Sequence, residues 1–95
     1  MDFNQTFISE YADVFKALSH PIRLCIVTGL YDHPEGMNVS SIQGCIHISQ
    51  SSVSQHLRIL KQYDILDSER HGTEIKYLLS NTSVKRIVEL LREFE

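Results

Sequence analysis

Between residues 49 and 61 the chain reads Ser49-Gln50-Ser51-Ser52-Val53-Ser54-Gln55-His56-Leu57-Arg58-Ile59-Leu60-Lys61. Val53, Leu57 and Leu60 are spaced four and three apart, as on the inward stripe of a helix. Gln50, Ser51, Ser52, Ser54, Gln55, Arg58 and Lys61 then fall on its outer side. Hydroxyls, amides and cations of this kind donate to phosphate oxygens and read base edges. The short side chains gather at the helix start, where Ser49 can cap. Free backbone N–H groups and the helix dipole attract phosphate there as well. Surface helices ordinarily carry acids, and this one carries none. From Asn38 to Tyr63 there is no Asp or Glu in 26 residues, where the chain's own frequency would place about three.

The whole chain points the other way. It has 95 residues, with 12 Asp plus Glu against 9 Lys plus Arg, and a formal charge of -3. Domains that bind nucleic acid are usually basic. Net charge does not locate the charges, however, and all 12 acids lie outside residues 38–63, where Arg58 and Lys61 stand alone. An acidic chain can therefore present a locally cationic face.

A second group of reactive residues is the two cysteines, Cys25 and Cys45, the candidate redox pair. They lie 20 apart with no CxxC spacing, and a secreted disulfide scaffold of this size would carry four or more. Cys25 falls among Leu24, Ile26 and Val27, and Cys45 precedes Ile46, so core or boundary packing is expected of both. A bridge between them would link two helices and tilt the DNA-reading pair. His33, His47, His71 and Cys45 sit at irregular spacings, and a non-standard metal site would have to be built from them. No GxSxG, P-loop or HExxH occurs, and no enzyme or bound cofactor is expected.

Stepping outward, the elements that hold these residues follow from periodicity. Phe3, Phe7, Ile8, Tyr11, Val14, Phe15 and Leu18 predict a helix over 3–18. Ser19-His20-Pro21 breaks it, and an apolar helix over 21–31 restarts at Pro21 with Ser19 or His20 as cap. Asp32-His33-Pro34-Glu35-Gly36 ends that helix. Asn38-Val39-Ser40-Ser41 opens a short helix anchored by Ile42 and Ile46. A turn near His47-Ile48-Ser49 leads into the helix over 50–63. Two runs around His71-Gly72-Thr73 predict a β-hairpin. Arg70, His71 and Lys76 would flank its tip, and Glu69 and Glu74 weaken that positive field. Ser80-Asn81-Thr82 then caps a helix over 83–94, lined by Val84, Ile87, Val88, Leu91 and Phe94.

The order α-α-α-α-β-β-α predicts a mainly α fold with a β-hairpin wing (α+β), a winged helix-turn-helix. Ninety-five residues fit one domain over 1–95. Its core is thin, so a homodimer that buries further apolar surface is expected. Phe3, Phe7, Tyr11, Val84, Ile87, Val88, Leu91 and Phe94 are the candidate interface. The first residues lack the pattern of a secretory leader, and no apolar run approaches about 18 residues, so a cytoplasmic protein away from membranes is expected.

Two stretches carry a family resemblance. Leu18-Ser19-His20-Pro21-Ile22-Arg23-Leu24 and Ile48-Ser49-Gln50-Ser51-Ser52-Val53-Ser54-Gln55-His56-Leu57-Arg58-Ile59-Leu60 are similar to the second helix and the recognition helix of ArsR/SmtB-family winged-helix repressors. Ile48 stands where the family pattern has Leu. The likeness covers roughly residues 10 to 80. It implies a homodimeric repressor, joined through the terminal helices 3–18 and 83–94, of a palindromic double-stranded operator, released by an inducer or a redox signal. The DNA-contacting set would be Ser49, Gln50, Ser51, Ser52, Ser54, Gln55, Arg58, Lys61, Arg70, His71 and Lys76. The family's metal sites do not carry over. Its CVC cysteine pair would fall at Asn38, Val39 and Ser40. Its last-helix ligands would fall in Asn81-Thr82-Ser83 and Arg92-Glu93-Phe94. No metal ligand is therefore expected at either place. The alternatives are a metal-responsive repressor with a non-standard site and a winged helix that binds protein, though the latter has no need of an acid-free helix face.

Overall fold

The computed structural model describes residues 4–95. Helix α1 spans Gln5–Leu18 and starts at Asn4, whose side chain accepts from the Phe7 N–H. Helix α2 spans Pro21–Tyr31, with proline in its first turn. Its cap is His20, whose Nδ1 accepts from the Ile22 N–H at 3.1 Å. Strand β1 is the dipeptide Met37–Asn38, and helix α3 spans Val39–Cys45. Helix α4 spans Gln50–Gln62. Strands β2, Leu66–His71, and β3, Glu74–Leu79, form the hairpin, and helix α5 spans Thr82–Arg92.

The sheet has three antiparallel strands in the order β1-β3-β2, one more than the expected hairpin. Met37 pairs with Tyr77 and Asn38 with Lys76. A two-residue strand is too short to show alternation in a sequence. Its approach depends on Gly36, at φ 90, where a Cβ would stand 3.0 Å from Leu78 Cγ and 3.1 Å from the Tyr77 carbonyl oxygen. Only glycine takes that backbone conformation without cost and leaves room for the neighbouring strand. The hairpin turns through Gly72, at φ 68.

One cluster of buried side chains unites the elements. Ile26, Val27 and Leu30 of α2 meet Val53, Leu57 and Leu60 of α4, with Ile65, Leu66 and Leu79 around the sheet and Val84 and Val88 of α5. Val84 and Val88 are fully buried in the protomer's own core, which corrects their assignment to a dimer surface. A side chain with no exposed area has none to offer a second subunit. Phe3 lies outside the described residues.

The end of α4 is fixed by backbone geometry. The Asp64 N–H donates to the Lys61 carbonyl and the Ile65 N–H to the Leu60 carbonyl, both at 3.0 Å. This is the paired pattern of a Schellman cap, and Asp64 supplies its left-handed residue at φ 58.

Candidate nucleic-acid interface

The helix-turn-helix is built from α3 and α4. Ile46 is the C-cap of α3, and the chain turns where the Ile48 N–H donates to the Ile46 carbonyl at 2.8 Å. Gln43 Nε2 donates to the Ile48 carbonyl at 3.3 Å and holds the turn against α3. Ser49 then caps α4. Its Oγ accepts from the Ser52 N–H at 3.2 Å and donates to Ser52 Oγ at 3.0 Å.

Val53, Leu57 and Leu60 are fully buried, which turns the opposite face of α4 outward. Gln50, Ser51, Ser54, Gln55 and Arg58 line one shallow depression on that face. Ser52 is half-buried and tied to Ser49, so it belongs to the cap rather than to the open reading face. Lys61 is exposed, one turn beyond Arg58, and its Nζ donates to Ser68 Oγ of β2 at 2.6 Å. That bond fastens the end of α4 to the wing.

On the wing, Arg70 and His71 are exposed and Lys76 is half-buried. Both acids beside the tip are engaged. Glu69 lies across the strands from Lys76 and within 3.3 Å of His71 Nε2. Glu74 Oε1 accepts from Asn38 Nδ2 at 3.0 Å. Asn38 also caps α3, accepting from the Ser41 N–H at 2.8 Å, so one side chain joins helix and wing. Among the described residues no carboxylate lies within ion-pairing distance of Arg58 or Arg70. Cations without carboxylate partners, on a face cleared of acids, suit a polyanion. Ser40 and Thr73, which sequence reasoning missed, line a second groove beside Ser54 and the wing tip. Ser40 lies in the first turn of α3 and Thr73 in the hairpin turn, and a short polar residue at either place carries no periodic signal that would single it out.

His56 sits on the inner flank of α4. Its ring lies 4.6 Å from that of His20, tilted by 51°, and its Nδ1 is buried with no hydrogen-bond partner among the described residues. Burial, then the His20 ring, then Arg23 hold its pKa below the ordinary histidine value.

The matching family model is described as a helix-turn-helix domain and covers residues 18–69, from the last residue of α1 into the wing. The transcriptional repressor PagR of Bacillus anthracis is 36% identical over 88 residues, spanning 93% of this chain and 87% of that protein. The repressor SmtB of Mycobacterium tuberculosis is 34% identical over 76 residues, or 80% of this chain and 55% of SmtB. The chain belongs to the ArsR/SmtB family of winged-helix transcriptional regulators. The PagR crystal structure superposes with a TM-score of 0.85 over 93% of this chain and 99% of that one. The solution structure of the homodimeric winged helix-turn-helix domain Mb0332 from Mycobacterium bovis is 25% identical. It has a TM-score of 0.81 and covers 99% of this chain and 85% of that one.

The expected residues of this ArsR/SmtB-family chain outside α4 and the wing differ in exposure. Phe7, Leu91 and Phe94 are exposed, as are Ile8, Phe15 and Leu90. Tyr11 and Ile87 are half-buried, and the Tyr11 hydroxyl lies 2.8 Å from Ser83 Oγ of its own chain. Cys25 and Cys45 are both exposed free thiols, which corrects the expectation that they take core or boundary positions. Among the described residues no three His, Cys, Asp or Glu side chains cluster as metal ligands, so His33, His47, His71 and Cys45 assemble no such site. Among the described residues no helix is long and apolar enough to cross a membrane.

Proposed function

We propose that the protein is a cytoplasmic homodimeric repressor that binds a palindromic double-stranded operator and is released by an inducer or a redox signal. The observation that carries this reading is the outward, acid-free face of α4, flanked by a wing whose acids are engaged. Gln50, Ser51, Ser54 and Gln55 face base edges. Ser49 brings the helix N-terminus to a phosphate, and Arg58, Lys61, Arg70, His71 and Lys76 meet the backbone. Residues 1–95 act as one domain, paired through the terminal helices. PagR and SmtB are named repressors and the Mb0332 domain is homodimeric, which supports both parts of the reading. A two-fold dimer places its recognition helices about 34–36 Å apart, one turn of B-DNA.

Fluorescence anisotropy on DNA from upstream of the protein's own gene tests this. Four of the cations just named, Arg58, Lys61, Arg70 and Lys76, would act twice in a dimer. A slope of log K against log salt of roughly −7 is then expected, at about −0.9 per neutralised phosphate. Absent or salt-insensitive binding would sink the proposal and favour a protein-interaction module. The redox arm rests on the two exposed thiols. Identical operator affinity for reduced and oxidised protein removes that arm and leaves the inducer.

A further inference from the structure

Helix α2 has a glycine in its interior, Gly29, where alanine would favour the helix. Among the described residues nothing lies within 4 Å of the point where its Cβ would stand, so no close approach demands glycine. What glycine preserves there is empty space. Gly29 lines a cleft of about 200 Å³ between α2, β1, α3 and the end of α5. Ile26, Ile42 and Ile46 form a buried floor. Cys25 and Cys45 stand on the facing helices, both exposed. At one edge Arg92 donates to Asp32 Oδ2 at 2.7 Å and to the Thr28 carbonyl at 3.3 Å.

We infer that this cleft is an effector site for a compact, neutral, largely apolar molecule the size of one aromatic ring. The inference rests on the repressor reading and names the inducer's chemistry. An apolar wall with a few polar groups at one side is the usual make-up of a small-molecule site. An engineered apolar cavity of about 150 Å³ holds benzene, which sets the scale of the occupant. Neutrality follows from the lining, because Arg92 is already matched by Asp32 and His33, which also lines the cleft, has its Nδ1 3.2 Å from Glu35 Oε1, so a charged ligand would have to displace a partner. The cleft also lies where occupancy has consequences. One wall is α3, the first helix of the DNA-reading pair, and the edge is Arg92, at the end of α5. A ligand seated between α2 and α3 therefore acts on the angle between the reading helices and the terminal helix.

The two thiols report occupancy directly. Iodoacetamide labelling of Cys25 and Cys45 in the full-length protein is followed by mass spectrometry, with phenol, toluene and cyclohexanol as probes. By mass action, labelling should slow about sixfold at a probe concentration five times its Kd. The same probe should weaken binding to the upstream DNA. Gly29→Leu fills the cleft and should bind that DNA while losing both responses. Should Gly29→Leu fail to fold, Gly29→Ala, which suits a helix better, should show weaker protection than the native protein. Labelling that none of the three probes slows overturns the site. Protection without any change in DNA affinity overturns the effector role. Protection in a protein that binds no DNA at all supports the ligand site and overturns the repressor reading instead.

Discussion

Gln55 and Arg58 are neighbours on the exposed face of α4, yet their chemistry separates their roles. The amide pairs two hydrogen bonds with one base edge, whereas the cation meets any phosphate. Gln55→Ala should cost about 1–3 kcal/mol per half-site of the operator and little on random DNA. Arg58→Ala, lost from both protomers of the dimer, should weaken binding to both DNAs and reduce the salt slope by about 2. Competition binding with the two DNAs separates these outcomes, and equal losses for Gln55→Ala would contradict base reading. Ser52 marks where sequence reasoning stops. Its type and spacing match its neighbours, but the Ser49 hydroxyl captures it. His56 makes a different prediction. Unfolded histidine titrates near pH 6.5. Burial, His20 and Arg23 lower the folded value, so below about pH 6.5 the unfolded chain binds more protons. Stability is thus fully present above that pH and falls as the solution is acidified toward the folded pKa. His56→Gln cannot take up that proton and should show a shallower loss in urea melts between pH 7 and 5. Parallel losses in both proteins would assign the effect elsewhere.

At the scale of elements, periodicity was readable wherever a segment had one buried face. The helices among the described residues follow from it and from their caps, whereas the hairpin follows from its turn around Gly72. The two-residue β1 was not readable, because its pairing depends on Gly36 and on strand β3 far along the chain. Cys25 was misread for a related reason. Its apolar neighbours suggest a core position, but at 3.6 residues per turn it lies about 150° around α2 from the centre of the Ile26, Val27 and Leu30 face. The recognition helix ends on Asp64 in the left-handed region, a conformation that costs most side chains roughly 1–2 kcal/mol and aspartate less. Asp64→Gly should therefore stabilise the fold by up to about 1 kcal/mol, raising Tm by several degrees. Its Ile65 bond to Leu60 uses only backbone atoms and survives the change. A lower Tm would mean that the carboxylate itself holds the corner.

For the whole molecule, the net charge of -3 and the exposed apolar surface belong together. The acids lie outside the helix-turn-helix, so under the proposed function the chain's general repulsion from DNA would be set against one locally cationic face, and random DNA should bind weakly at physiological salt. The apolar surface is segregated just as clearly. Phe7, Ile8 and Phe15 of α1 and Leu90, Leu91 and Phe94 at the chain's end are all 40% exposed or more. Large exposed apolar side chains on the two terminal elements are what the proposed dimer would cover. The last helix has two faces that its sequence runs together. Val84 and Val88 point into the core, and Leu90 lies roughly 140° away around the helix. This separation makes the dimer testable without unfolding the protomer. Leu90→Arg should leave the thermal transition of the protomer nearly intact and produce a monomer in light scattering, whereas Val88→Arg should unfold the chain. Because the two half-sites are linked only through the dimer, the monomer should lose about 10²-fold or more in affinity for the full palindrome, yet bind a single half-site as the native protein does. A Leu90→Arg protein that still scatters as a dimer would move the interface off this face and return Leu90 to the scattered apolar residues that any surface carries.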